Sequence, residues 1–260
     1  MADGLNQKDF KIYVSLMLMA SVMSGLYILA GGRAQTLAGP VNLRLPLSIL
    51  LNMIIVFFLY GLLGLFGFKY AGELGLPGIW RAKYPGLDDY YRPFLAGLIT
   101  VVLLVGVEVG FNTWHGLGNF PQPDLPAAIF LIPLAAVGDE VLYRLFLIPL
   151  IIKLLIGIWR KLGGVGFSRQ EMLEGKFFWT AAVISGILYT VLHGFDPIHY
   201  LQMADGAEVF PVLIFQALMM NLILSLLAAW QYRKRGFLPA VVYHLGFGLG
   251  WYIIWGNIII

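Results

Sequence analysis

The sequence predicts an all-α, polytopic transmembrane helix bundle with about seven spans. Hydrophobic residues make up 60% of the 260 residues and charged residues only 12%, whereas soluble domains carry about 25% charge. The mean hydropathy is +0.82. Such a composition provides too few polar side chains to cover a water-exposed body, so lipid must be the solvent for much of the surface. These observations exclude a soluble globular domain.

Seven apolar runs, each near the 20 residues or so that cross a bilayer, follow one another along the chain. Helix-breaking pairs such as Gly39-Pro40, Pro85-Gly86 and Asp196-Pro197 fall between the runs. No change of composition separates a second domain, so we expect residues 1–260 to form one integral membrane domain. The predicted spans are 11–30, 46–68, 94–111, 126–152, 177–194, 209–231 and 237–258.

The basic residues indicate an orientation, because Lys and Arg are retained in cytoplasmic loops. If the seven spans alternate in direction, fourteen of the seventeen Lys and Arg lie at one set of ends and only Arg33 and Arg44 at the other. Arg144 lies within a span. We therefore predict a cytoplasmic N-terminus and an external C-terminus.

Charge and cysteine content narrow the possible partners and chemistry. A net charge of +3 is too small to indicate a nucleic-acid partner. The sequence has no cysteine, which excludes disulfides, thiolate metal ligands and a cysteine nucleophile. The partner that the composition indicates is the lipid bilayer.

Ionisable side chains within the spans are the candidate functional residues, because a charge in lipid is costly and by default functional. Two histidines and a carboxylate pair within spans, in a chain with four histidines, favour a shared site over isolated core residues. The residues are Asp139, Glu140 and Arg144 in the fourth span, His193 at the end of the fifth, His244 in the seventh and Glu108 in the third.

Helical spacing separates the roles of the two acids in the fourth span. Glu140 and Arg144 are four residues apart, so an α-helix places them on one face as an ion pair. Asp139 points about 100° away, over Tyr143. This predicts that Arg144 neutralises Glu140 and leaves Asp139 freer to act as a base, although a purely structural ion pair explains the same spacing. Glu108 lies near the outer end of its span, so we expect its carboxylate to reach the interface.

Three short motifs in this order resemble the signature of the CPBP family, the membrane-embedded CAAX proteases and bacteriocin-processing enzymes also called the Abi family. That signature is Glu-Glu-x-x-x-Arg, Phe-x-x-x-His and His-x-x-x-Asn on successive helices. The matching stretches here are DEVLYR at 139–144, YTVLH at 189–193 and HLGFG at 244–248. The run RGFLPAVVYH at 235–244 is similar to the family's entry into its last helix. The resemblance covers about residues 126–255.

The resemblance implies a metal-independent intramembrane endopeptidase of the glutamic type. It also implies a peptide or membrane-protein substrate, no cofactor and no bound metal. Asp139, in the position of the leading acid, would act with His193 to activate a water that attacks a peptide carbonyl. His244 would stabilise the oxyanion, and Glu140 with Arg144 would set the electrostatics of the fourth helix. Tyr143 and Tyr189, within or beside the motifs, would support these residues. A bacterial inner membrane is the location that the family suggests.

Two positions differ from the family signature and leave other functions open. Asp139 replaces a glutamate, and Gly248 replaces an asparagine that donates a hydrogen bond. A catalytically silent membrane scaffold or regulator with the same fold is therefore the main alternative. A zinc hydrolase using His193, His199 and His244 with one of the acids is a second alternative. A small-molecule transporter is a third, which no internal repeat supports.

Overall fold

The computed structural model describes residues 6–32, 45–82, 85–120, 122–163, 175–192 and 210–260. Within these ranges the chain is helical and contains no strand, as the composition predicts. The described helices, numbered along the chain, are α1 (Gln7–Leu29), α2 (Leu45–Leu74), α3 (Asp88–His115), α4 (Leu125–Lys161), α5 (Lys176–Leu192), α6 (Phe210–Arg235) and α7 (Phe237–Ile259).

Each helix corresponds to one of the predicted spans. Six of them are long and apolar enough to cross a membrane, and α5 has 17 described residues. Large hydrophobic side chains such as Leu50, Phe58 and Ile99 lie exposed on the outside of the bundle, where water would not tolerate so continuous an apolar surface. The chain is an integral membrane protein of the all-α class.

Three helices contain π-helical segments, whose turns are wider than those of an α-helix. The segments are Val56–Tyr60 in α2, Glu140–Leu147 in α4 and Leu249–Ile259 in α7. In α2 the Tyr13 hydroxyl donates to the carbonyl oxygens of Tyr60 and Gly61 at 2.7 and 2.9 Å. The Tyr13 side chain of α1 thus provides hydrogen bonds to carbonyl groups of α2 where the wider turn interrupts the regular α-helical hydrogen bonds. The expectation of a regular α-helix around Glu140 is wrong.

Glycines allow α3 and α7 to pack in direct backbone contact. A Cβ on Gly97 would lie 2.2 Å from the Tyr243 carbonyl oxygen, and a Cβ on Gly246 would lie 2.2 Å from the Phe94 carbonyl oxygen. Because any side chain would push the helices apart, these two positions require glycine. The close contact fixes the position of His244, which lies between Tyr243 and Gly246 on α7, relative to α3.

The contacts at the helix ends fall into two groups, as expected if successive helices run in opposite directions. At one end, Phe237 N donates to Gly78 O at 3.0 Å, and Arg235 forms an ion pair with Asp89 at 2.8 Å. At the opposite end, the His115 ring contacts Gln216 at 2.9 Å. The first group is the end at which the basic residues collect.

We predict that this basic end is cytoplasmic. Because the sequence has no cysteine, single-cysteine variants report on one site each. An impermeant maleimide should label Thr113→Cys, near the outer end of α3, in intact cells. It should label Leu162→Cys, an exposed residue just after α4, only after the cells are permeabilised. The opposite pattern would reverse the orientation.

Candidate active site

The acidic motif lies in the middle of α4, where the α-helix changes into its π-helical segment. Asp139 is the last residue before that segment and Glu140 is the first within it. Asp139 is 3% exposed, and Glu140 and Arg144 are completely buried. Three ionisable side chains in a dry interior require mutual neutralisation, since an isolated buried charge is very costly.

Glu140 and Arg144 form the ion pair that the sequence spacing predicts. Arg144 Nε lies 3.4 Å from Glu140 Oε2. The guanidinium carbon also lies 5.5 Å from the centre of the Tyr189 ring and 5.9 Å from that of Tyr143, within the range of cation–π attraction. Arg144 is therefore held by one carboxylate and two aromatic faces.

His244 joins the two acids from the opposite helix. Its Nδ1 lies 3.0 Å from Glu140 Oε1, and its Nε2 lies 3.7 Å from Asp139 Oδ2. The 3.0 Å separation is a hydrogen-bond distance, whereas 3.7 Å is longer than a hydrogen bond. His244 is therefore hydrogen-bonded to Glu140 and lies beside Asp139.

This geometry changes two expectations from the sequence. Asp139 and Glu140 were expected to point about 100° apart, but both contact the same imidazole ring across the change of helix type. Glu140 is predicted to pair with Arg144, and in the structure it also contacts His244 at 3.0 Å.

The supporting tyrosines connect α4 to α5. The rings of Tyr143 and Tyr189 meet edge to face with 5.0 Å between centroids, and the Ser185 hydroxyl donates to the Tyr143 carbonyl oxygen at 2.9 Å. Tyr143 is completely buried and Tyr189 is 6% exposed. Both residues therefore shape the wall around Arg144.

His193 and His199 lie outside the described residues. The prediction that His193 shares a site with the acids stays a prediction, and so does the zinc alternative that would use both histidines. Among the residues that the structure does describe, no three histidine or carboxylate side chains are arranged to hold a metal ion.

Gly248 lies one turn after His244 and is buried against α4. A Cβ at this position would approach Ile132 Cγ2 to 3.0 Å, closer than most real contacts. The space that an asparagine side chain would need is occupied by Ile132. The chain therefore has no side-chain amide at this position, and Ile132 of α4 packs against Gly248 instead.

Glu108 does not reach the interface, so that expectation is wrong. It is completely buried. Its carboxylate accepts from the backbone N–H of Phe120 at 2.7 Å and from the indole N–H of Trp255 at 2.6 Å. Charge-assisted bonds of this kind are strong, so Glu108 ties the connection before α4 and the end of α7 to α3.

Removing this carboxylate should destabilise the protein. Glu108→Ala leaves two partly buried donors without their acceptor, so we expect the free energy of unfolding to fall by about 2 to 5 kcal/mol. Glu108→Gln keeps one acceptor oxygen and should lose less. Unfolding of the purified protein in mixed detergent micelles measures both. An alanine variant as stable as the wild type would show that Glu108 does not hold these elements together.

One tyrosine that the sequence did not single out, Tyr60 on α2, lies beside the residue that precedes Asp139. Its ring packs against Gly138, with 3.4 Å from the ring to a Cβ placed there. The sequence offers one signal for Tyr60. It lies near the centre of a span, whereas tyrosine is usually enriched at the membrane interfaces.

A known protein family matches the part of the chain that contains these residues. The model of the family described as type II CAAX prenyl endopeptidase Rce1-like matches residues 121–250, half of the chain. The matched segment contains Asp139, Glu140, Arg144 and His244, but not Tyr60. No curated protein and no solved structure matches. The chain belongs to the Rce1-like family of type II CAAX prenyl endopeptidases.

Proposed function

We propose that the protein is a metal-independent intramembrane endopeptidase whose site is built on Asp139, Glu140 and His244. The observation that carries the proposal is the contact of one imidazole ring with two buried carboxylates, at 3.0 and 3.7 Å. A buried carboxylate beside a histidine is a candidate for a general base and its partner in hydrolysis.

The attacking water would lie between Asp139 and His244. The 3.7 Å separation of Asp139 Oδ2 and His244 Nε2 is too long for a direct hydrogen bond but allows one water to donate to both atoms. Asp139 takes a proton as the water oxygen bonds to the scissile carbonyl carbon. The protonated acid then returns the proton to the leaving nitrogen as the C–N bond breaks, giving a carboxylic acid and an amine.

Glu140 and Arg144 would prepare the histidine for this step. Glu140, which pairs with Arg144, would accept a hydrogen bond from the Nδ1–H of His244. The Nε2 lone pair is thereby aimed at the water, in the way that a buried acid fixes the tautomer in other hydrolases. His193 would assist Asp139, as the family resemblance implies.

The proposed substrate is a peptide segment at the membrane. The family description names prenylated CAAX sequences, so a peptide with an S-prenylated CAAX terminus is the first substrate to test. Peptide pheromones, bacteriocin leaders and membrane-protein segments form the wider class. The protease and its peptide substrate would meet in the lipid bilayer.

The test is cleavage by purified protein in detergent. We expect mass spectrometry to find two fragments of a fluorogenic S-farnesylated CAAX peptide, or of members of a diverse peptide library. The His193→Ala variant is the control and should be inactive. Wild-type protein that cleaves none of these peptides would favour the silent regulator, for which the replacements at Asp139 and Gly248 are the supporting observations.

A further inference from the structure

Two cations at the end of α6 are held against aromatic rings, outside the candidate active site. The guanidinium carbon of Arg233 lies 5.3 Å from the centre of the Phe178 ring and 5.7 Å from that of Trp179, both on α5. The next residue, Lys234, places its Nζ 4.7 Å from the centre of the Trp230 ring. Cation–π attraction operates over these distances. Each cation is therefore fixed on one side by an aromatic ring.

A third cation, Arg81, is brought to the same place by the connection between α2 and α3. Its backbone N–H donates to the Arg235 carbonyl oxygen at 2.8 Å, and its Nη1 donates to the Arg233 carbonyl oxygen at 2.9 Å. These two bonds hold both the main chain and the guanidinium of Arg81 on the last turn of α6. Arg81, Arg233 and Lys234 thus form one group, which we call the cation cluster.

The positive charge of the cation cluster is not neutralised within the described part of the chain. Acids at this end of the bundle pair with other bases, Asp89 with Arg235 at 2.8 Å and Asp88 with Arg92 at 2.7 Å. No described acid forms an ion pair with a member of the cluster. The negative end of the α6 dipole contributes only about half an elementary charge, against three positive charges. The cluster therefore attracts an anion.

The surroundings of the cation cluster favour a lipid over a soluble anion. Trp230 is 40% exposed on the outside of the bundle, and tryptophan is enriched at the depth of the lipid headgroups. One turn deeper in the membrane, Leu227 lies below Trp230 on α6 and Val183 lies below Trp179 on α5, and both are exposed. Apolar side chains below a basic group match the order of acyl chains and phosphate in a phospholipid.

We propose that the cation cluster binds the phosphate of an anionic phospholipid in the leaflet at the basic end. Arg233 rests one face of its guanidinium on the α5 rings and keeps N–H groups at its edge for a bidentate contact with phosphate oxygens. Lys234 and Arg81 add charge and further donors. Basic pockets between transmembrane helices recognise lipid headgroups by this chemistry. The inference does not depend on the proposed protease function.

The bound lipid would also stabilise the junction between α6 and α7. The residues next to Arg81 hold the start of α7, since the backbone N–H groups of Phe237 and Leu238 donate to the carbonyl oxygens of Gly78 and Ile79 at 3.0 and 3.1 Å. A headgroup that bridges Arg81 and the end of α6 therefore braces the helix that carries the candidate site. We expect phosphatidylglycerol to raise the melting temperature of the purified protein more than phosphatidylcholine does.

Competition between two lipids tests the site directly. The delipidated full-length protein in detergent is mixed with phosphatidylglycerol and phosphatidylcholine that have identical acyl chains, and native mass spectrometry counts the bound lipids. We expect the wild type to retain phosphatidylglycerol preferentially. A basic group near an anionic lipid contributes about fivefold in affinity, and two contribute about thirtyfold. The double variant Arg233→Gln, Lys234→Gln should therefore bind phosphatidylglycerol about thirtyfold more weakly.

Two further variants separate the cluster from the general charge of this end. Arg160→Gln, Lys161→Gln is the matched control, because it removes the same charge from exposed residues at the end of α4, and it should bind phosphatidylglycerol as the wild type does. Arg81→Gln changes an exposed side chain and should weaken phosphatidylglycerol binding about fivefold. This variant tests the site even if a low melting temperature shows that the first double variant does not fold.

Three results would overturn the inference. The wild type could retain both lipids equally, or the control could lose as much affinity as the cluster variants, which would leave only the general attraction of a basic surface. Inorganic phosphate at millimolar concentration could displace phosphatidylglycerol, which would assign the cluster to a soluble anion. None of these measurements involves peptide cleavage, so they leave the proposed function to its own test.

Discussion

Replacing Asp139 by asparagine should abolish cleavage while leaving the protein folded. Positioned general bases contribute about 10² to 10⁴ in rate, so we expect kcat to fall by at least a hundredfold or so. The amide has the volume of the acid but cannot take a proton from water. Steady-state cleavage of the farnesylated peptide, with melting temperatures recorded on the same preparations, measures the effect.

The matched variant is Asp139→Glu, which restores the acid usual in the family. It should hold or raise the rate, because the longer side chain keeps the titrating group and extends it towards the 3.7 Å gap to His244. A fully active Asp139→Asn protein, together with a folded but inactive Glu140→Gln protein, would exchange the roles of the two acids.

Glu140→Gln should have the largest effect on stability. The change removes the only carboxylate that pairs with Arg144 among the described residues, and breaking a buried pair costs about 3 to 5 kcal/mol. It also removes the charge that orients His244 Nδ1, so the remaining folded protein should cleave slowly. Unfolding in mixed micelles gives the stability, and cleavage per folded molecule gives the activity.

Two controls separate the buried charge from other effects of this change. Glu73→Gln removes the acid of an exposed pair with Lys153 and should leave stability almost unchanged, because water already screens that pair. The double variant Glu140→Gln, Arg144→Met removes both buried charges and should recover most of the lost stability. If the double variant is less stable than Glu140→Gln, an uncompensated arginine is not the cause.

The helices of this protein could be predicted from the sequence because each is an uninterrupted apolar run bounded by polar or helix-breaking residues. The pairing of Glu140 with Arg144 could be predicted for a similar reason, since both lie on one helix four residues apart. Both inferences depend on local spacing alone. They hold although the segment that carries the pair is a π-helix.

Contacts between distant helices explain what could not be predicted. Glu140 and His244 are 104 residues apart. Their place within spans predicted a shared site, but not which acid the histidine contacts. In the π-helical segment of α2, the Tyr60 carbonyl oxygen accepts a hydrogen bond from the hydroxyl of Tyr13, 47 residues earlier. The burial of Glu108 depends on the indole of Trp255, on α7. The local hydrophobic pattern around these residues does not predict contacts with such distant partners.

The most direct test of the central claim is the cleavage rate of the purified wild-type protein before and after dialysis against a strong chelator, with bound zinc measured on the same samples. A carboxylate and histidine that activate water without a metal predict an unchanged rate and far less than one zinc per chain. A rate that disappears with the metal and returns when zinc is added would contradict the account and establish the metal hydrolase.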